Sequence, residues 1–185
     1  MIVYPTMWGK KYEKLADNID IDVNLIINEL TNILKKVDVQ HLAFSCGLDS
    51  TIMLCLLSSV TDKQIHTYTI SSRTSHPDIQ FARIGSKYYE TDHHEFIVEP
   101  TKKDTDRFTG DNAVRQFFEK VSEYTNEIIC CDGVDEFMCG YYDHLNGSFN
   151  TYEHYLSRLT PDHLIPLNSN SGKVKVFLPY LSKSL

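Results

Sequence analysis

His41-Leu42-Ala43-Phe44-Ser45-Cys46-Gly47-Leu48-Asp49-Ser50 decides how the rest of the chain is read. The run from His41 to Phe44 feeds a short Ser/Gly turn, and a long apolar stretch, Thr51 to Leu57, leaves it. That order predicts strand, tight loop, helix. The first N–H groups of such a helix have no partner within it, and the aligned peptide dipoles put about half a positive charge there. Phosphate is the natural guest. An ordinary turn capped by Asp49 or Ser50 has the same local composition, so the loop alone leaves both readings open.

Working outward, Val23, Ile26, Ile27, Leu30, Ile33, Leu34 and Val37 recur at helical spacing, with Asp20 or Asp22 as N-cap and Lys35-Lys36 at the far end. Residues 1–20 show no period and are expected to wrap the outside of the domain, so that 1–38 forms an N-terminal segment and helix packed on it. Gln64 to Ile70 alternates as a second strand and stops at Ser71-Ser72. A helix opens at Ser75-His76-Pro77-Asp78, with Ile79, Ala82 and Ile84 turned inward. A third strand is expected near His94–Val98 and a fourth at Glu127–Cys131. Between them, Gly110-Asp111 opens a helix with Val114, Phe117, Phe118 and Val121 in period. Asn168 to Gly172 reads as a loop before Lys173–Tyr180. Strands alternating with helices predict an α/β fold, a mainly parallel, doubly wound, Rossmann-like sheet with helices on both faces. Ligands of such sheets sit beyond the carboxyl ends of the strands, where the strand order reverses. Ser45–Ser50, Ser71–Arg73 and Asp132–Glu136 therefore converge on one site.

The 185 residues, 42% hydrophobic and 23% charged, suit a single domain over 1–185 with an ample core. A net charge of −7 without a basic cluster excludes a broad nucleic-acid surface. No apolar run reaches the roughly 20 residues that span a bilayer, and no signal sequence opens the chain, so a membrane role is not expected and a cytoplasmic location is. The five cysteines include no Cys-x-x-Cys pair, which argues against a disulfide framework or a structural zinc site. Cys130 and Cys131 are expected to face opposite sides of a strand as reduced thiols. His93 and His94 would likewise point to opposite faces, which speaks against a shared metal.

The loop lacks the Gly-Lys-Ser/Thr ending of the common P-loop, so γ-phosphate transfer is not indicated. Asp49 inside a phosphate cradle would repel its guest unless a cation lies between them, which implies Mg²⁺. Asp132, Asp135 and Glu136 follow a buried strand, where three carboxylates are costly to desolvate unless a metal or donors compensate them. Gly133 permits close backbone approach, and Asp135-Glu136 stand at a helix N-terminus.

In these segments the sequence resembles a known family. Ser45–Ser50 is similar to the Ser-Gly-Gly-x-Asp-Ser pyrophosphate loop of ATP pyrophosphatases. Asp132–Glu136 through Gly140-Tyr141 resembles the Gly-Glu-Gly-x-Asp-Glu-Leu-Phe-Gly-Gly-Tyr segment of the asparagine synthetase synthetase domain. Thr91–Glu95 and Leu178-Pro179-Tyr180-Leu181 resemble two further stretches of that domain. The resemblance spans about Gln40 to Leu185. It implies an adenine nucleotide alpha hydrolase-like fold that binds ATP with Mg²⁺, activates a small carboxylate as its acyl-adenylate with release of pyrophosphate, and passes it to ammonia or another amine. Carried over by position, Ser45, Cys46, Gly47, Leu48, Asp49 and Ser50 cradle pyrophosphate. Asp49 and Asp135 share magnesium; Ala43, Ile70, Cys131 and Gly133 line the nucleotide; Asp132, Asp135 and Glu136 serve catalysis. Asp132 stands where the family has a catalytic glutamate, one methylene longer.

The departures are specific. Cys46 replaces a glycine, the chain starts Met1-Ile2 without a nucleophilic cysteine or a glutaminase domain, and the family's later lysine has no clear counterpart. Lys173, Lys175 and Lys183 are the candidates. These departures keep open a nucleotide-binding subunit or sensor without chemistry, or a split synthetase that needs a partner. A homodimer fits either. A tRNA-modifying pyrophosphatase is disfavoured by the acidic charge and the missing paired cysteines.

Overall fold

A computed structural model describes residues 2, 3, 22–99, 101–107, 110–145, 147, 149–182 and 185. The elements in order are β1 (Ile2–Val3), α1 (Val23–Val37), β2 (His41–Ala43), α2 (Leu48–Val60), β3 (His66–Ser71), α3 (Pro77–Tyr88), β4 (Asp92–Ile97) and α4 (Asp111–Val121). They continue with β5 (Glu127–Ile129), α5 (Val134–Met138), α6 (Tyr142–Leu145), α7 (Phe149–Arg158), a π-helical turn (Leu159–Leu164), α8 (Ile165–Asn170), β6 (Lys175–Phe177) and a 3₁₀ turn (Pro179–Leu181). Apart from β1, the expected residues 1–20 and Lys183 lie outside the described residues.

The sheet has the order β1-β6-β5-β2-β3-β4, and every pairing is parallel. Side chains alternate between its two faces, as strand geometry requires. Ile128, Cys130 and Val176 enter one core with Phe117, Phe118 and Leu167, while Leu42, Ile129 and Phe177 enter the other with Leu34, Met53 and Ala82. The α/β, doubly wound expectation with helices on both faces holds. Cys130 and Cys131 divide between the two cores as expected, and all five thiols are free. Among the described residues no helix is long and apolar enough to cross a membrane.

Local chemistry explains the boundaries. Asp22 caps α1 by accepting from the Asn24 N–H at 2.9 Å, and Asp38, in the left-handed region at φ 50°, ends it with its N–H on the Leu34 carbonyl. Pro77 occupies the first turn of α3, as its fixed φ allows.

Three sequence expectations need correction. Within α1 only Leu30 and Leu34 are fully buried, and Val23 and Ile27 face outward, because the helix meets the core mainly through its second half. Ile84 is exposed; Ile79, Ala82 and Ser86 form the inner face of α3, and Ile84 falls on the opposite side of the helical wheel. Asn168 to Asn170 belong to α8 rather than to a loop. Pro166 and Leu167 anchor that helix in the core against α4, and burial overrides the turn-forming composition of the polar residues that follow.

Candidate functional site

β2 and β5 are neighbours, but the chain leaves β2 towards β3 and leaves β5 towards β6, in opposite directions. Their following loops diverge and open a crevice at the carboxyl end of the sheet, which is where doubly wound folds receive ligands. A cavity of ≈ 350 Å³ occupies it. Ala43, Ser45, Ser50, Ile70, Cys131 and Asp132 all line it, and Phe117 and Phe118 of α4 close its apolar side. The buried Thr69 hydroxyl donates to the Phe44 carbonyl and ties β3 to the start of the loop.

The loop itself is held by short-range bonds. Gly47 N–H donates to Ser45 Oγ at 3.2 Å, Ser50 Oγ donates to the Gly47 carbonyl at 3.3 Å, and the two serine hydroxyls lie 3.4 Å apart. Gly47 is the N-cap of α2 and no side chain caps that helix. Asp49 and Ser50 therefore do not cap α2, and the ordinary capped-turn reading of this stretch fails. Cys46 adopts φ 60°, a conformation that normally favours glycine. Its side chain is accommodated by Gly85 of α3, where an added Cβ would lie 2.9 Å from Cys46 Sγ and 2.8 Å from the Phe44 ring. The thiol thus lies against Gly85 and accepts from the Thr51 hydroxyl at 3.8 Å, and it does not line the cavity.

Across the crevice, Gly133 at φ 85° starts α5, with Leu181 and Leu159 packed so closely that a Cβ would meet them at 2.8 and 2.9 Å. Asp135 lies over Gly140, where an added Cβ would collide with its carboxylate. Lost hydration raises the Asp135 pKa first, followed by the negative charges of Asp49 and Glu136, with His144 opposing. Asp135 therefore feels the charge of Asp49. Asp132 opens onto the cavity but is hemmed in by protein on its other sides; reduced hydration raises its pKa and Glu136 adds to this, while His163 lowers it. Glu136 is buried and turned inward, accepting from the Tyr141 hydroxyl and paired with His163 Nε2 at 3.1 Å.

Residues 38–105 match the family model for asparagine synthase. A Methanocaldococcus jannaschii protein assigned as glutamine-hydrolyzing asparagine synthetase 2 is 25% identical over 136 residues, a match covering 66% of this chain and 26% of that protein. The chain thus spans about a quarter of that relative's length. Among solved structures, the NH3-dependent NAD synthetase from Campylobacter jejuni subsp. jejuni NCTC 11168, in complex with nitrate, is similar at a TM-score of 0.51 and 14% identity, over 80% of this chain and 78% of that one. This likeness shows the fold alone, a parallel, doubly wound α/β sheet.

The matched segment runs from β2 through β4 and contains the whole Ser45–Ser50 loop. The structure brings Ser45 and Ser50 of the loop, the strand-end residues Ala43, Ile70 and Cys131, and Asp132 around one cavity; Cys46, Gly47, Leu48, Asp49, Gly133, Asp135 and Glu136 do not line it, although Asp135 feels the charge of Asp49. Ser72 and Arg73 are exposed and do not line that cavity. Lys175 starts β6, at the opposite end of the sheet, and its ammonium is held by Glu127 at 3.2 Å and lies over the Phe177 ring. Lys173 lies in the preceding turn.

Sequence reasoning missed three contributors. Tyr180 donates its hydroxyl to the Asp49 carbonyl at 2.9 Å, fastening the 3₁₀ turn to the first turn of α2. Arg158 and His163 line a neighbouring cavity of ≈ 360 Å³ that Asp132 shares. His163 reaches it from the π-helical turn, where Ile165 N–H bonds Thr160, five residues back, while the Pro161 carbonyl accepts from Arg107. The only signal in the sequence was Pro161 within an otherwise helical stretch.

Proposed function

We propose that this chain binds ATP in the crevice between β2 and β5, cleaves it between the α and β phosphates by adenylating a small carboxylate, and supports amide formation with ammonia or another amine. The observation that carries the reading is the convergence on one crevice of Ser45 and Ser50, at a helix start that no side chain caps, with the strand-end residues Ala43, Ile70 and Cys131 and with Asp132, while Asp135 feels the charge of Asp49 in the first turn of that helix. The free N–H groups at the start of α2 would take the β and γ phosphates, and the backbone around Ala43, Ile70 and Cys131 would receive the adenine. The donor set fits Mg²⁺: two carboxylates whose charges oppose each other favour a hard divalent ion between them. Bound there, Mg²⁺ would supply charge neutralisation for the departing pyrophosphate.

Asp132 stands at the junction of the two cavities, the position from which a carboxylate can orient an incoming amine or take its proton. The neighbouring cavity offers Arg158 and His163 to an acidic substrate. Glu136 acts as a positioning residue, holding Tyr141 and His163. The test is a mixture of protein, ATP, Mg²⁺ and candidate acids with ammonia. Acid-dependent formation of AMP and pyrophosphate supports the reading, and no AMP with any acid or amine overturns it.

One observation favours a second reading, an ATP-binding subunit whose chemistry is absent or completed by a partner. Lys173 and Lys175 lie at the amino end of the sheet, away from the crevice, so neither serves the transition state. Calorimetry that finds ATP binding without turnover would favour this form, and turnover restored by a second protein would define a split enzyme.

A further inference from the structure

At the end of the sheet opposite the crevice, three strands begin with histidine or aspartate. The parallel register sets His66 beside Asp92 and Tyr68 beside His94. Asp92 and His94 are two residues apart on β4 and so share a face. One ligand atom from each of His66, Asp92 and His94 lies within 4.8 Å of the others. His66 Nδ1 is 3.0 Å and His94 Nε2 is 3.4 Å from the same oxygen, Asp92 Oδ2.

We propose that His66, Asp92 and His94 form a binding site for a divalent transition-metal ion of the zinc class. The two nitrogen–oxygen distances suit it, because ligand atoms about 2.0–2.1 Å from a tetrahedral ion stand roughly 3.3 Å apart, and a small turn of the imidazoles would bring the two nitrogens, within 4.8 Å of each other, to that separation. Two imidazole nitrogens and one carboxylate select borderline transition metals over magnesium or calcium. A second observation points the same way. His94 Nε2 is buried and makes no hydrogen bond; it lies near Asp92 Oδ2 without the alignment for one. A buried imidazole nitrogen with no donor or acceptor is costly, and a metal satisfies it.

The site is also held in place. The His94 ring packs against Tyr124 at 4.3 Å and Tyr68 at 5.0 Å, and the His66 ring stacks on His41 at 4.8 Å. His41 is occupied with the Tyr68 hydroxyl, Nδ1 to Oη 2.8 Å, so it walls the site rather than joining the ligands. His93, on the opposite face, bonds Thr67 and takes no part. Asp92 is half exposed, which gives an ion a route in and leaves a position for water. The site stands independently of the nucleotide reading.

The test uses tag-free, chelator-stripped protein titrated with Zn²⁺ by calorimetry and with Co²⁺ by visible absorption. We expect one equivalent of Zn²⁺, a Co²⁺ spectrum without thiolate charge transfer, and affinity at least roughly tenfold weaker in His66→Asn and His94→Gln. Asp135→Asn and the double variant Cys55→Ser/Cys139→Ser should bind as the parent does. No ion bound, an ion lost in the cysteine variant, or affinity unchanged in both histidine variants overturns the proposal. Circular dichroism checks the fold; if either histidine variant unfolds, Asp92→Asn, altered at a half-exposed side chain, takes its place with the same expected loss.

Discussion

Asp49 and Asp135 are the two residues on which the proposed chemistry turns, and the effect of the Asp49 charge on Asp135 is measurable without substrate. Asp49→Asn should lower the Asp135 pKa towards its ordinary value of 3.8 by removing a negative neighbour, as carboxyl NMR titration would show. The same substitution should lower any AMP-forming rate by on the order of a hundredfold, as expected when a charge-stabilising group is lost. The sign of the pH effect follows from the raised pKa. Above the folded pKa of Asp135 its lost hydration, together with repulsion from Asp49 and Glu136, opposes folding in full; as pH falls through it, the folded state takes up the proton first and this penalty fades, vanishing below the unfolded value. Asp135→Asn should remove this component, seen as the difference between parent and variant in urea-unfolding free energy against pH. Binding of Mg²⁺ and ATP runs the other way, weakening as pH falls through the same pKa, because the carboxylate must be ionised. Gly140→Ala tests the placement directly. The new methyl would displace the Asp135 carboxylate, so Mg²⁺-dependent ATP binding should fall while the circular dichroism spectrum stays the same.

At the scale of elements, the cradle depends on partners far away in sequence. Tyr180→Phe removes the hydroxyl on the Asp49 carbonyl and should cost about 1 kcal/mol in urea unfolding, with a weaker ATP affinity as α2's first turn loosens. Gly85→Ala forces a methyl against Phe44 and Cys46 and should destabilise by about 1–3 kcal/mol, part of it relieved when combined with Cys46→Ala. These dependencies also mark what the sequence could reveal. The strand-loop-helix at His41–Val60 was legible because its apolar runs and Ser/Gly turn are contiguous, and the period of Phe117, Phe118 and Val121 gave α4 for the same reason. Tyr180, Gly85 and His163 were not, because each acts through a contact that only the folded sheet creates. Reading α8 as a loop failed for a related cause: its polar residues signal a turn, and only the burial of Pro166 and Leu167 overrules them. The separation of His93 from His94 was correct on strand geometry, but it concealed the companion that His94 gains from β3.

For the whole molecule, ligand linkage provides a global readout. ATP with Mg²⁺ at about a hundred times its dissociation constant should add about 2.7 kcal/mol of stability. In a chain of this size that raises Tm by roughly 5–10 °C, and Asp49→Asn should abolish the increase in a thermal-shift assay. The sheet order adds a constraint on how such a molecule is made. β6 lies between β5 and β1, so β1 at Ile2–Val3 has no neighbour until Lys175–Phe177 exist. At about 5–20 residues per second, a ribosome needs roughly ten to thirty seconds to supply that partner. For the last roughly two to nine seconds of that interval, after Ile129 has been made and before Lys175 is, the backbone edge of β5 stands open beside Ile128 and Ile129, and a nascent chain stalled there would present it to other chains.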